Sequence, residues 1–198
     1  MTLRPHASIL VLAVTLVLQG CASAPPSPAS TKAPDAQLPA TAADTKQQLD
    51  ALFENYFEDN LRANPLLATY IGDHRYDDQL PNSIGPQYLA AAHAMNQKYL
   101  AAIRALDPAP LSPADRISYD IFLFEREREA RSERFPFHLL PINQAGSLLT
   151  VMPALGSGTN AQPFETVEDY ERWLQQLDGL VVWMDQAIVK LREGAAKG

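Results

Sequence analysis

An all-α fold is what this sequence predicts for its folded body, and three observations carry that expectation. Apolar residues recur three and four apart along successive segments, which is the spacing of one helix face. Residues suited to capping stand just before several of these stripes, and Asn64-Pro65 and Asp107-Pro108 interrupt them where a helix would have to end. The last stripe has no later segment to cover it. The expected architecture is therefore an incomplete multi-helix assembly, with a long Pro/Gly-rich loop before the last helix.

The first segment, 1–20, is not part of that body. Arg4 supplies a positive start, Ile9 to Leu18 form an apolar run, and Leu18-Gln19-Gly20-Cys21 follows. The pattern resembles a bacterial lipoprotein signal, and the run is shorter than the roughly 20 residues a spanning helix needs. That resemblance implies cleavage before Cys21, acyl chains on the new terminal cysteine, and anchorage of the chain to a membrane, since each buried methylene contributes about 0.8 kcal/mol. The alternative is an ordinary secretory signal with an incidental cysteine. Ala22 is not the aspartate associated with inner-membrane retention, so the same resemblance implies the outer membrane, facing the periplasm.

Residues 21–43 hold Pro25, Pro26, Pro28, Pro34 and Pro39 among Ala, Ser and Thr, with no aromatic. A segment of that composition buries too little surface to offset its ordering entropy, so it reads as a disordered tether. The body is expected at 44–198.

Within the body, Asp44 is the expected cap of a first helix whose stripe is Leu49, Leu52, Phe53, Tyr56, Phe57 and Leu61. A second helix begins near Pro86 with Tyr88, Ala92, Met95, Tyr99, Ala102, Ile103 and Leu106. Ser112-Pro113-Ala114-Asp115 opens a third, through a cap, a proline in the first turn and an acid beside it. Its expected buried residues are Ile117, Ile121 and Phe124. The charged run from Glu125 to Arg134 follows, with Glu127 and Arg131 four apart, and reads as a solvated face.

From Phe135 to Gln162 the helical period fails. Pro136, Pro141 and Pro153, with Gly146 and Gly156-Ser157-Gly158, punctuate an apolar stretch that reads as loop, the glycines supplying flexibility. Thr166-Val167-Glu168-Asp169 then caps the last helix, whose stripe is Tyr170, Trp173, Leu174, Leu177, Val181, Met184, Ile188 and Leu191. Gly194 to Gly198 offers no closing element.

Composition narrows function. The chain has 198 residues, 16 basic and 23 acidic, for a net charge of -7, and no Lys/Arg cluster, so nothing marks a nucleic-acid surface. Its single cysteine, Cys21, makes neither an intrachain disulfide nor a cysteine zinc cage. His-Glu-x-x-His, Gly-x-Ser-x-Gly and the phosphate-binding glycine motifs are absent. His74, His93 and His138 lie in separate segments without metal-ligand spacing, and His93 is expected at the helix surface.

One polar cluster stands out, Gly72-Asp73-His74-Arg75-Tyr76-Asp77-Asp78. Acids beside an imidazole can orient it for proton transfer, and Arg75 can pair with a carboxylate such as a peptide terminus. The same residues also suit a structural loop whose aspartates accept backbone donors while His74 and Tyr76 pack on helices. Asn143 and Gln144 can likewise hold a peptide backbone or serve their own loop.

Asn64-Pro65, Gly72 to Asp77, Leu106-Asp107, Leu111 to Asp120, Leu140 to Gln144, Phe164 to Tyr170 and Leu191 to Gly194 are landmarks in a recognisable order and spacing. Together they resemble the N-terminal part of the bacterial family called domain of unknown function 885. That resemblance implies an exported, all-helical, zinc-peptidase-like lipoprotein with a His-Glu-x-x-Pro-Gly-His metal motif in its C-terminal part, a motif this chain does not contain. On that basis the chain is expected to be the N-terminal helical portion of such a protein, one wall of a peptide-binding cleft, with no catalytic residue, no metal site and no cofactor of its own. The competing expectation is a self-standing envelope lipoprotein that acts as a binding or interaction module.

Overall fold

The structure, a computed structural model, describes residues 41–144 and 146–198. Cys21, the signal segment and nearly all of the tether lie outside the described residues. Those described form α1 (Ala42–Ala63), α2 (Pro65–Tyr70), α3 (Pro86–Ala105), α4 (Pro113–Ser132), α5 (Leu148–Leu155) and α6 (Val167–Lys197), with short 3-10 turns at His74–Tyr76 and Phe137–Leu139. No strand occurs among them, so the fold is all-α.

The caps form at the sequence signals, with one shift. Thr41, not Asp44, caps α1: its hydroxyl accepts the Asp44 N–H at 3.2 Å, and the Asp44 carboxylate accepts the Thr41 N–H at 3.1 Å. Asp44 is thus the third residue of a reciprocal capping box, and the helix starts two residues before the expected body. Thr166 and Asp169 repeat the box at α6, and Ser112 caps α4 with Pro113 in the first turn.

One core forms where α1, α3 and α4 meet, from Leu49, Leu100, Ile103 and Tyr119. Phe53, Tyr56 and Phe122 extend it as a tilted and edge-on aromatic group with ring centroids 5.0 to 5.1 Å apart. The face of α4 corrects the expectation. Ile117, Ile121 and Phe124 are exposed, while Tyr119, Phe122, Leu123 and Ala130 face the core. Ile121-Phe122-Leu123-Phe124 puts apolar side chains all round the helix, so its own pattern leaves the face ambiguous. Packing against Tyr99 and Ile103 of α3 chooses it.

The second core joins α6 to the segment before α3 through Ile84, Trp183 and Ala187, with Leu148 of α5 packed against them. Gln176 donates to the Gln79 carbonyl at 3.2 Å, and the Trp183 indole N–H donates to Ser83 Oγ at 3.2 Å. Between these bonds, a Cβ on Gly179 would stand 2.6 Å from the Leu80 carbonyl oxygen. Glycine is needed there for close approach. The buried edge of α6 therefore includes Gln176, Trp183 and Ala187, which the sequence stripe did not contain.

The expected long loop contains α5. Ser147 starts it, Pro153 lies within it, and Met152 and Leu155 are buried. Proline removes one backbone donor from so short a helix, and burial of the residues on either side holds it. Gly156 is likewise a packing residue, not a flexible one, because a Cβ there would meet the Trp173 ring at 2.8 Å. α6 also continues through Gly194 to Lys197, where a Cβ on Gly194 would come within 2.9 Å of the Leu139 carbonyl oxygen. Among the described residues no helix is long and apolar enough to cross a membrane.

Candidate functional site

The Gly72 to Asp78 cluster folds as a turn between α2 and α3. Gly72, at φ 82°, takes the left-handed conformation that lets the chain leave α2. Asp73 caps the 3-10 turn by accepting the Arg75 N–H. Asp77 is 1% exposed and accepts from the Thr69 hydroxyl at 2.6 Å and meets His74 Nδ1 at 2.8 Å. Arg75 is held in a fork: its guanidinium donates to both oxygens of Glu58 and to both of Asp73. These bonds, Asp73 first, hold the Arg75 guanidinium well above its ordinary range, and Arg75 in turn holds the Asp73 carboxyl below its own.

Asp73, His74, Arg75 and Asp77 all have partners within the fold, while Asp78 is exposed. Arg75 already has two carboxylates, and Arg172 of α6 reaches the His74 carbonyl at 3.4 Å, which ties the turn to α6. Tyr76 is half-buried beneath the Arg75 guanidinium, which lies 5.3 Å from its ring centroid. Asn143 and Gln144 stand exposed on the segment before α5, where Asn143 Oδ1 accepts the Gly146 N–H at 3.0 Å. The bonds of the 72–78 turn run to α1, α2 and α6, so the two expected groups serve different parts of the fold.

The concave surface lies elsewhere. A cavity of about 580 Å³ opens between α1, α3 and α4, lined in part by Tyr56, Asn60, Asn64, Tyr88, Asn96 and Arg126. An apolar cavity of about 420 Å³ lies between the α1–α2 junction and α5, against Leu66, Leu67, Leu148 and Val151. Ala63, Asn64, Pro81 and Tyr88 line both. Asn64 closes α1 by donating to Asn60, and the Tyr88 hydroxyl donates to Asn64 Oδ1 at 3.0 Å. Burial raises the Tyr88 and Tyr56 phenols above the ordinary range; at Tyr56 the nearby Arg126 opposes that rise.

Arg126 is the residue the charged-run reading missed. Its neighbours do form a solvated face: Arg104 pairs with Glu127, Arg128 with Glu125 and Arg131 with Glu127. Arg126 is half-buried on the opposite side, four residues after Phe122 and four before Ala130, and that spacing was the signal for an inward position.

The possible zinc donors of the described residues lie apart. His74 faces Asp77, His93 meets Glu133 at 2.6 Å, and His93 and His138 line one hollow with Glu129 and Glu133. Among the described residues no group of three His, Cys, Asp or Glu side chains is placed to hold a metal ion. These residues do not fit the zinc that the resemblance implies for the complete family.

The model of a family described as bacterial protein of unknown function (DUF885) matches residues 65–198, which take in everything from α2 to α6. The chain belongs to that family. No curated protein and no solved structure matches it. Of the landmarks on which the resemblance rests, four fall at structural junctions, the α1–α2 break at Asn64-Pro65, the 72–78 turn, the α4 cap and the α6 cap, while Leu191 to Gly194 lies within α6.

Proposed function

We propose that the chain is the N-terminal helical part of a lipid-anchored envelope protein of zinc-peptidase-like type, forming one wall of its peptide-binding cleft. The observation that carries this reading is the second apolar side of α6. Tyr170, Leu174, Val181, Met184 and Ile188 are exposed while the other side of the same helix is packed on Leu80, Ser83 and Ile84. A helix whose apolar surface extends beyond the side it already packs, with its polar residues confined to the remainder, suits a larger assembly. Further helices that carry the metal motif are the occupant proposed for this face, and the metal chemistry belongs to them.

The test compares the chain alone with the chain joined to the motif-bearing region of a family member. Alone it is expected to self-associate in sedimentation and to unfold over a broad range. Joined, it should be monomeric with one sharp transition. A monomeric chain with a sharp transition on its own would favour the self-standing lipoprotein that uses the face as an interaction module.

The anchor is part of the same proposal and rests on Leu18-Gln19-Gly20-Cys21. Expression in a bacterial host should yield a mature protein whose mass shows acyl chains on Cys21, in the outer-membrane fraction. Cys21→Ser should release it to the periplasm, and an unmodified soluble wild type would overturn the idea.

A further inference from the structure

The strongest unexplained feature is the chemistry around Arg126. Its guanidinium carbon lies 4.5 Å from the Tyr56 ring centroid and 5.6 Å from that of Phe122. Nη1 donates to Asn96 Oδ1 at 3.2 Å, and Asn96 returns a bond to the Arg126 carbonyl at 3.2 Å. These contacts fix the plane of the guanidinium. They do not compensate its charge: Nε is buried with no hydrogen-bond partner, and no carboxylate among the described residues pairs with it. The half-buried guanidinium lines the cavity, an anion there would complete its charge, and the planar fork matches a carboxylate.

The cavity beside it contains the further amide and phenol groups of Asn60, Asn64 and Tyr88, and shares the Asn64–Tyr88 wall with the apolar cavity. A mostly apolar hollow next to a few converging polar groups is the usual form of a small-ligand site. We propose that the two cavities together bind a monocarboxylate that carries an apolar group, with the carboxylate on Arg126 and the apolar group against Leu66, Leu67, Leu148 and Val151. Glu129 also lines the cationic cavity and disfavours a doubly charged anion such as phosphate beside it. The inference does not depend on the zinc-peptidase-like reading.

Two sources share this chemistry, the C-terminus of a peptide ending in an apolar residue and a free apolar acid. Calorimetric titration of the full chain with N-acetylglycyl-leucine, its C-terminal amide, octanoate and inorganic phosphate distinguishes them. At least one of the two acids should bind saturably, and the peptide acid, if it is the one, at least tenfold more tightly than its amide. Phosphate should bind more weakly than either. Arg126→Met should lower the affinity for the acid at least tenfold with an unchanged circular-dichroism spectrum. Leu67→Gln, at a partly exposed position, keeps the fold and should weaken the longer acids about threefold while leaving N-acetylglycine unaffected. No saturable binding of either acid, a peptide acid bound no better than its amide with octanoate also silent, a preference for phosphate, or undiminished binding by a folded Arg126→Met would each overturn the proposal. Should Arg126→Met not fold, the wild-type ranking and the Leu67→Gln comparison decide it.

Discussion

Two arginines show how partners decide what a cationic side chain does. Arg75 has its donors taken by Glu58 and Asp73, so it fastens the turn after α2 to α1. Arg126 has an amide and two aromatic faces, so its charge is left for something else. Asp77 belongs with Arg75. Asp77→Ala removes the carboxylate that accepts from the buried Thr69 hydroxyl, which keeps only the longer bond to the Pro65 carbonyl, and the denaturant midpoint should fall by an amount equal to about 1 to 3 kcal/mol, as for a bond to a charged group. Asp59 links α1 to α3 by accepting from Lys98 at 2.8 Å and from the Tyr99 hydroxyl at 2.6 Å. Those bonds, Lys98 first, lower its carboxyl from 3.8 to about 2. A carboxyl lowered in the folded state adds stability above its unfolded value, and that stability disappears as the pH falls from about 4 toward 2. Asp59→Asn should therefore cost about 1 kcal/mol at pH 7, after allowance for solvent screening, and next to nothing at pH 2. Urea titrations of both proteins at the two pH values check the sign.

At the scale of elements, α6 organises the second half of the fold because small residues let it approach other backbone closely. Gly179 and Gly194 each face a carbonyl oxygen, of Leu80 and Leu139, nearer than a Cβ permits. Alanine at either position improves helix propensity by about 1 kcal/mol, yet the forced shift of packed backbone costs about 1 to 3 kcal/mol. Gly179→Ala and Gly194→Ala should both lower the midpoint of thermal unfolding, Gly179→Ala more, since its clash at 2.6 Å is the closer. A rise at Gly179 would show that α6 is free to move from the 79–84 segment. Thr166→Ala, which removes the cap of α6, should cost about 1 kcal/mol without changing the helix packing.

Across the whole molecule, apolar surface is distributed unevenly. α4 exposes Ile117, Ile121 and Phe124, and α6 exposes a stripe from Tyr170 to Ile188; Val181 is 60% exposed. Patches of this kind drive association in water. Replacing Leu174, Val181 and Ile188 together by Glu should move the chain toward monomer in sedimentation and leave the unfolding midpoint within about 0.5 kcal/mol per site, as for surface changes generally. A midpoint that falls by several times that amount would mean the stripe is packed in solution against part of this same chain.

What the sequence determined by itself is local. Helix starts at Ser112 and Thr166, the break at Asn64-Pro65 and the charged pairing of Glu127 with Arg131 depend on neighbours within one turn, so they are legible without a fold. The all-α class follows from their repetition. Most of the landmarks on which the family resemblance rests were legible for a related reason, because they sit at these same junctions. Tertiary structure decided which side of each helix is inside. On α4 the run Ile121 to Phe124 is compatible with two faces, and only the position of α3 selects Tyr119 and Phe122 over Ile117 and Ile121. The same selection turns Arg126 inward and leaves Arg128 in solvent. Helix α5 needed the burial of Met152 and Leu155 to outweigh Pro153. The candidate cavities, too, are walled by residues up to 88 positions apart, Ala63 to Val151 among them, and no spacing along a chain encodes a surface that exists only once its helices have packed.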